Sequence, residues 1–180
     1  MLAGEEAWQV RNDAEQICSA SEIAAAVRRI AAAVTVQLSQ RCPLVMSVLG
    51  GAVIFTGHLL PLLDFPLEFD YVHVTRYGDR TTGEQLAWKM PPGENVRGRV
   101  VLVLDDILDE GFTLAAIRDK VLQGGAQAFF SAVLVDKDIG RAKPIQPDFV
   151  GLTVPNRYVF GFGMDVRGAW RNLPAIYALR

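Results

Sequence analysis

The pattern of apolar and polar positions along the chain predicts alternating helices and strands. Helical spacing of apolar residues occurs over residues 4–17, 20–39, 52–63 and 113–122. Alternating apolar and polar positions predict a strand at residues 67–75. Further strands are predicted at residues 44–48, 86–90, 100–104, 128–135 and 158–161. The polar, glycine-containing stretch 77–85 predicts a loop between two of these strands.

The run Val100–Leu104 is the most informative strand because it is apolar without alternation. Such a run is typical of a central parallel strand covered on both faces. A helix and the apolar run Ala128–Val135 follow it, which makes a βαβ unit. We therefore predict an α/β fold with a central, mainly parallel sheet flanked by helices.

Two local signals refine this prediction. Ser19 and Glu22 fit a capping box at the start of the second helix.

The stretch Cys42–Leu63 has no charged residue, which is typical of a membrane span. Glycines at 50, 51 and 57 and Pro61 interrupt it, so we interpret it as a strand, a glycine turn and a buried helix.

The composition and the charge of the chain exclude some classes of protein function. The chain has 180 residues, of which 51% are hydrophobic, so we expect one folded domain over residues 1–180. Its 18 basic and 20 acidic residues give a net charge of -2, which argues against a nucleic-acid surface. With two cysteines and no basic leader, we expect a cytoplasmic protein without a membrane partner.

An acidic segment follows the central strand. Four carboxylates, those of Asp105, Asp106, Asp109 and Glu110, lie within six positions. We expect them in a turn just beyond the strand, at the carboxyl edge of the sheet, where open α/β folds bind ligands. A magnesium ion or a polyhydroxylated ligand would compensate their charge. The alternative is an exposed acidic turn with Thr113 as an ordinary cap.

The helix start after this segment favours a phosphate site. Gly111 and Thr113 stand where outward-facing amides, the helix dipole and a hydroxyl can hold a phosphate. The chain contains neither GxxxxGK[ST] nor GxGxxG, so a P-loop and a dinucleotide fingerprint are both unsupported.

The segment Val100–Leu114 resembles the phosphoribosyl pyrophosphate (PRPP) signature of the type I phosphoribosyltransferases. The resemblance narrows to the bacterial hypoxanthine-guanine branch and covers most of residues 20–180. It implies a fold with a small hood and a mobile lid loop.

The resemblance implies a set of PRPP contacts. Asp105 and Asp106 resemble the pair that binds the ribose hydroxyls, directly or through Mg²⁺, and Asp165 would hold a second Mg²⁺. The 5-phosphate would bind at Asp109, Glu110, Gly111, Phe112 and Thr113. The pyrophosphate would contact Gly50, Gly51, Arg171 and the lid residue Tyr77.

The purine contacts follow from the same resemblance. Asp109 resembles the general acid/base that exchanges a proton with N7 of the purine. Lys137 would donate to the 6-oxo group, Tyr158 would stack on the base, and the Val159 backbone would read its edge.

The chain departs from the family pattern at several positions. Gly50 replaces a frequent lysine, Arg76 replaces the lid serine, and Asp105 replaces the commoner glutamate. Glu110 replaces the commoner threonine, and its carboxylate should repel a phosphate unless the side chain points away.

The leading hypothesis is a Mg²⁺-dependent purine salvage enzyme. It would transfer the phosphoribosyl group of PRPP to a 6-oxopurine, hypoxanthine or guanine, giving IMP or GMP and pyrophosphate. Two alternatives stay open: a same-fold transferase for xanthine or another base, and a non-catalytic regulator that binds PRPP or a nucleotide. The resemblance suggests a homodimer or a homotetramer.

Overall fold

The computed structural model describes residues 4–77 and 85–180. Its helices are α1 (Gly4–Asp13), α2 (Ala20–Leu38), α3 (Val53–Leu59) and α4 (Phe112–Gln123). Its strands are β1 (Glu15–Cys18), β2 (Leu44–Leu49), β3 (Glu68–Tyr77), β4 (Gln85–Met90), β5 (Val100–Leu108), β6 (Ala128–Asp138), β7 (Phe149–Pro155), β8 (Val159–Phe160) and β9 (Ile176–Ala178). Short 3-10 helices lie at Leu60–Leu62 and Glu94–Val96.

The central sheet has six strands in the order β4-β3-β2-β5-β6-β7. Strand β4 runs antiparallel to β3, and the other neighbouring pairs are parallel. A second sheet, β1-β9-β8, is antiparallel and joins the two ends of the chain. The predicted α/β class with a mainly parallel sheet is confirmed.

The core lies on both faces of strand β5, as its unbroken apolar run predicts. Leu102 and Leu104 belong to a cluster that includes the buried face of α2, with Ile23 and Ile30. Val101 and Val103 belong to a cluster on the other side that includes the buried residues of α4. The sheet is therefore a rigid platform between two helical layers, and its carboxyl edge is left for ligands.

Helix α2 begins at the predicted capping box. The Glu22 amide donates to Ser19 Oγ (3.3 Å), and the Ser19 amide donates to Glu22 Oε2 (2.8 Å). The charge-free stretch 42–63 contains the predicted strand, β2, but the single helix predicted over 52–63 is a shorter α3 followed by a 3-10 helix. Across residues 4–77 and 85–180, every helix is too short or too polar to span a bilayer.

Some predicted boundaries were wrong. Residues 4–17 do not form one helix: α1 ends at Asp13, and β1 follows because its residues pair with β9 from the far end of the chain. Strand β5 continues to Leu108, so Asp105 and Asp106 lie inside the strand and not in a turn beyond it. Parallel pairing with β6 explains this extension, since Asp105 pairs with Val133.

The resemblance implies two further parts of the site, a hood and a lid. The hood, residues 158–171, begins with β8, which pairs with β9. The predicted lid loop 77–85 lies mostly outside the described residues, which stop at Tyr77 and resume at Gln85.

Candidate active site

Asp105 and Asp106 are two adjacent carboxylates that β5 buries at the sheet edge. Their side chains belong to residues that are 8% and 9% exposed. The Asp106 amide donates to Asp105 Oδ1 (3.0 Å), and the Ile107 amide donates to Asp106 Oδ1 (2.9 Å). Burial raises the pKa of Asp106, and that shift is opposed by a side-chain hydrogen bond with Asp105, by the hydrogen bond from the Ile107 amide and by the charge of Arg171. The oxygen atoms of two such carboxylates can accept hydrogen bonds from hydroxyl groups or bind a cation.

Gly51 brings the loop after β2 into contact with this pair. A Cβ atom at Gly51 would lie 1.9 Å from Asp106 Oδ2, so only glycine fits against that carboxylate. Gly163 of the hood has a φ of +105°, and a Cβ there would lie 2.0 Å from the Gly51 carbonyl oxygen. Gly50 is exposed and follows a cis peptide bond with Leu49. The β2 loop, strand β5 and the hood therefore meet at Gly51.

The segment Asp109–Thr113 leads from the end of β5 into the first turn of α4. Gly111 is the residue before the helix and has a φ of +86°, a conformation that glycine adopts without strain. Gly111, as the N-cap residue, makes no side-chain capping hydrogen bond, and the amides of the first turn of a helix point toward its N-terminal end. Phe112 is 53% exposed, and Thr113 is half-buried. The loop fits the predicted phosphate site.

Glu110 is paired with a residue that sequence reasoning missed. Arg141 Nη2 lies 2.5 Å from Glu110 Oε1, and Arg141 comes from the loop between β6 and β7. The guanidinium therefore offsets the extra carboxylate that the sequence places beside the candidate phosphate site. No sequence signal links the two residues, because they are far apart in the chain.

Lys137 and Asp109 lie together, although the resemblance gives them separate roles. Lys137 is 8% exposed, and its Nζ donates to Asp109 Oδ2 at 2.8 Å. Asp109 follows the last residue of β5, and Lys137 is near the end of β6, the neighbouring parallel strand. The sheet thus places the candidate base-recognition lysine directly beside the candidate acid/base.

Lys143 is a further buried lysine that the sequence analysis did not select. Its Nζ donates to the carbonyl oxygens of Leu108 (2.8 Å) and Lys137 (2.6 Å) and to Asp136 Oδ1 (2.6 Å). A single sequence does not distinguish it from a surface lysine, since its acceptors belong to two separate strands.

The hood residues form their own network. Arg171 Nη2 pairs with Asp165 Oδ1, and Arg171 Nη1 donates to the Gly163 carbonyl (2.6 Å). The Tyr158 hydroxyl donates to the Asp165 carbonyl (3.1 Å), and partial burial, followed by the Asp165 carboxylate, raises the pKa of Tyr158. Tyr158 is 52% exposed, and Val159 is buried in β8.

The described structure brings most of the predicted site residues to one edge of the sheet, but it does not assemble a complete metal site. Within the described ranges, no three side chains of the types that bind metals come close enough to hold an ion on their own. Asp105 and Asp106 form one carboxylate pair, and Asp165 is in the hood. A magnesium ion here would need oxygen atoms from its substrate as well. Tyr77 ends β3 opposite Gln85, and its side chain lies outside what the structure describes.

Comparisons with known proteins show which family the chain resembles. The phosphoribosyl transferase domain family matches residues 13–167. The hypoxanthine-guanine phosphoribosyltransferase of Bacillus subtilis (strain 168) is 34% identical over 95% of this chain and 96% of its own length. A solved hypoxanthine-guanine-xanthine phosphoribosyltransferase superposes with a TM-score of 0.78 at 33% identity, covering 94% of this chain and 96% of that one.

Some relatives are much longer proteins. The bifunctional protein TilS/HprT of Listeria monocytogenes serotype 4b (strain F2365) is 37% identical over 95% of this chain, which spans only 27% of that protein. Family membership does not depend on these longer relatives, because the family match and the full-length relative each cover most of the chain. The chain belongs to the phosphoribosyltransferase family, on the branch of the hypoxanthine-guanine enzymes.

Proposed function

We propose that this chain transfers the phosphoribosyl group of PRPP to N9 of hypoxanthine or guanine. The products are IMP or GMP and pyrophosphate, and the reaction serves purine salvage. The main supporting observation is the ion pair between Lys137 and Asp109, next to the loop that starts α4. In the proposed roles, Lys137 would donate to a 6-oxo group and Asp109 would act as the acid/base, both next to the candidate phosphate loop.

PRPP binds along the carboxyl edge of β5. Its 5-phosphate accepts from the amides of the Asp109–Thr113 loop, where the positive end of the α4 dipole favours an anion. Its ribose hydroxyls donate to Asp105 and Asp106, which are buried and fixed by their own backbone hydrogen bonds. Arg141 keeps the Glu110 carboxylate compensated while the phosphate binds.

The purine binds between the hood and Lys137. Tyr158 stacks on the base, and the Val159 backbone meets its edge. Lys137 Nζ has three N–H donors, so it can bond the 6-oxo oxygen while it stays close to Asp109. Asp109 then accepts or returns the proton at N7 of the purine as the bond to ribose C1 forms.

Pyrophosphate leaves from the Gly50, Gly51 and Arg171 side of the site. The Arg171 guanidinium offers a planar fork for phosphate oxygens, and it exchanges its bond with Asp165 for them. Mg²⁺ would be held by Asp105 or Asp106, and by Asp165 for a second ion, together with PRPP oxygens. When bound, it would supply positive charge to the leaving pyrophosphate. Tyr77 and the lid residues after β3 exclude water from the cationic ribose.

The wider assignments are part of the same proposal. Residues 1–180 act as one phosphoribosyltransferase domain, since the family match covers residues 13–167 of them. The chain works in the cytoplasm, because Cys18 and Cys42 are both free thiols. It forms a homodimer or homotetramer, with PRPP and purines as its partners and neither nucleic acid nor membrane among them.

Xanthine is a second candidate acceptor. The structural relative with 33% identity bears a name that includes xanthine as well as hypoxanthine and guanine. Xanthine has the same 6-oxo group for Lys137 and differs from guanine only at the 2-position, so the same site chemistry serves both.

A spectrophotometric assay with PRPP and Mg²⁺ tests the proposal. The acceptor panel is hypoxanthine, guanine, xanthine, adenine and uracil, and the nucleotide products are identified by chromatography. Turnover of hypoxanthine or guanine, well above adenine and uracil, is the expected result. Binding of PRPP without turnover of any base would contradict the transferase and favour a regulator that binds PRPP as a signal.

A further inference from the structure

Lys143 is a buried lysine whose ammonium group lies between the ends of two neighbouring strands. Its side chain is 7% exposed, and Nζ lies within 2.8 Å of three acceptors. An ammonium group has three N–H donors, so these acceptors can use all of them. Burying an ammonium is costly unless it is paired and hydrogen-bonded, and here Asp136 supplies the opposite charge.

The acceptors of Lys143 adjoin the candidate active-site residues. Leu108, whose carbonyl accepts from Nζ, is the residue before Asp109. The second carbonyl belongs to Lys137 itself. Lys143 Nζ is therefore hydrogen-bonded to the backbone of both strands at whose ends the Asp109–Lys137 ion pair lies.

The same segment also touches the loop that starts α4. A Cβ atom at Gly111 would lie 3.3 Å from Pro144 Cδ, 3.4 Å from Lys143 Cβ and 3.5 Å from Ile145 Cγ2. Gly111 and Ile145 are both buried, so this contact is part of the folded interior. The segment from Lys143 to Ile145 thus contacts the ends of both strands and the candidate phosphate loop together.

We propose that Lys143 is a positioning residue, which holds Lys137 and Asp109 in place relative to the phosphate loop. This inference rests on the proposed transferase function. Lys143 does not touch the substrate. Backbone pairing joins β5 and β6 as far as Leu108 and Asp136, and Lys143 adds a link just beyond that last pair. Without this link Lys137 no longer meets the 6-oxo group at a fixed position. The effect falls on purine selectivity as well as on rate.

The test compares Lys143→Met with Ser131→Ala, a control in β6, the strand whose end Lys143 contacts. Ser131 is fully buried, and its hydroxyl donates to Asp148 (3.2 Å), away from the strand end. Each variant is assayed for kcat and KM with hypoxanthine, adenine and PRPP, and for its thermal midpoint. For Lys143→Met we expect kcat/KM with hypoxanthine to fall about 10- to 100-fold, as small misplacements of reacting groups do. The ratio of hypoxanthine to adenine use should fall with it.

The control separates positioning from stability. Ser131→Ala should lower the thermal midpoint and keep the wild-type ratio of hypoxanthine to adenine use. If Lys143→Met does not fold, Lys143→Gln replaces it, because an amide keeps two of the three donors. A folded Lys143 variant with the wild-type ratio would overturn the positioning role alone. A wild-type chain without turnover would instead contradict the proposed function.

Discussion

Lys137 Nζ lies 2.8 Å from Asp109 Oδ2, across the ends of two adjacent parallel strands. The resemblance assigns these side chains to different parts of the purine, the 6-oxo group and N7. Their contact means that each is the other's partner until a base arrives. When the base binds, Lys137 must donate hydrogen bonds both to the base and to Asp109. Recognition of the base is therefore linked to the protonation of Asp109.

Replacing Lys137 should reduce the preference for 6-oxopurines. In Lys137→Met the 6-oxo oxygen loses its donor, and an unmet buried polar group costs about 1–3 kcal/mol, or about 5- to 150-fold. We expect kcat/KM for hypoxanthine to fall by that factor, with a smaller change for adenine, in steady-state assays with both bases. Equal losses for the two bases would contradict the assigned role.

Gly51→Ala should damage PRPP binding through Asp106. The new Cβ would lie 1.9 Å from Asp106 Oδ2, so the carboxylate or the loop must move. We expect stability to fall by about 1–3 kcal/mol, as overpacked sites do. The Kd for PRPP, measured by calorimetry, should rise about tenfold or more.

Gly57→Ala is the matched control for this substitution. Gly57 lies in α3, and a Cβ there would meet no atom within 4 Å. Alanine in place of a helical glycine should stabilise the protein by about 0.5–1 kcal/mol and leave the Kd for PRPP unchanged. Equal effects of the two substitutions on PRPP binding would disprove the steric account of Gly51.

Arg141→Leu should weaken PRPP binding by releasing the Glu110 carboxylate. The Arg141–Glu110 pair is partly exposed, so the repulsion is worth ~1 kcal/mol, or about fivefold in KM for PRPP. Adding Glu110→Gln should restore KM, because the free charge is then gone. Failure of the double variant to recover would mean that Arg141 itself binds the phosphate.

The capping box of α2 should make stability depend on acid pH. Hydrogen bonds from the Ser19 side chain and backbone lower the pKa of Glu22 below its ordinary value of 4.5. A lowered pKa means that the contribution is fully present above pH 4.5 and is lost as the pH falls through the folded-state value. Thermal midpoints of wild type and Glu22→Gln should therefore converge at low pH; a gap that is constant from pH 7 to pH 3 would argue against this.

The fold was predictable where local patterns decide the structure. The unbroken apolar run at the start of β5 predicted a central strand, and Ser19 with Glu22 predicted the start of α2. Strand β1 was not predictable, because Glu15 and Gln16 have no strand pattern of their own and become strand by pairing with β9.

The residues of the candidate site were also predictable from the sequence only in part. Motif residues such as Asp106, Gly111 and Lys137 could be selected because each stands at a recognisable position after a strand or before a helix. Arg141 and Lys143 could not, since their partners come from strand ends that only the folded sheet brings together. The extension of β5 through Asp106 depends likewise on pairing with β6.

The most direct test of the proposed transferase is Asp109→Asn, measured for turnover and for PRPP binding in parallel. Asparagine keeps the size of the side chain and an oxygen for Lys137, but it cannot exchange a proton with the purine. General acid/base groups typically contribute about 10²- to 10⁴-fold, so kcat with hypoxanthine should fall within that range. The Kd for PRPP, measured by calorimetry, should stay within about twofold, because the loop amides are unchanged. Equal losses in kcat and in PRPP affinity, or a variant as active as the wild type, would contradict the account.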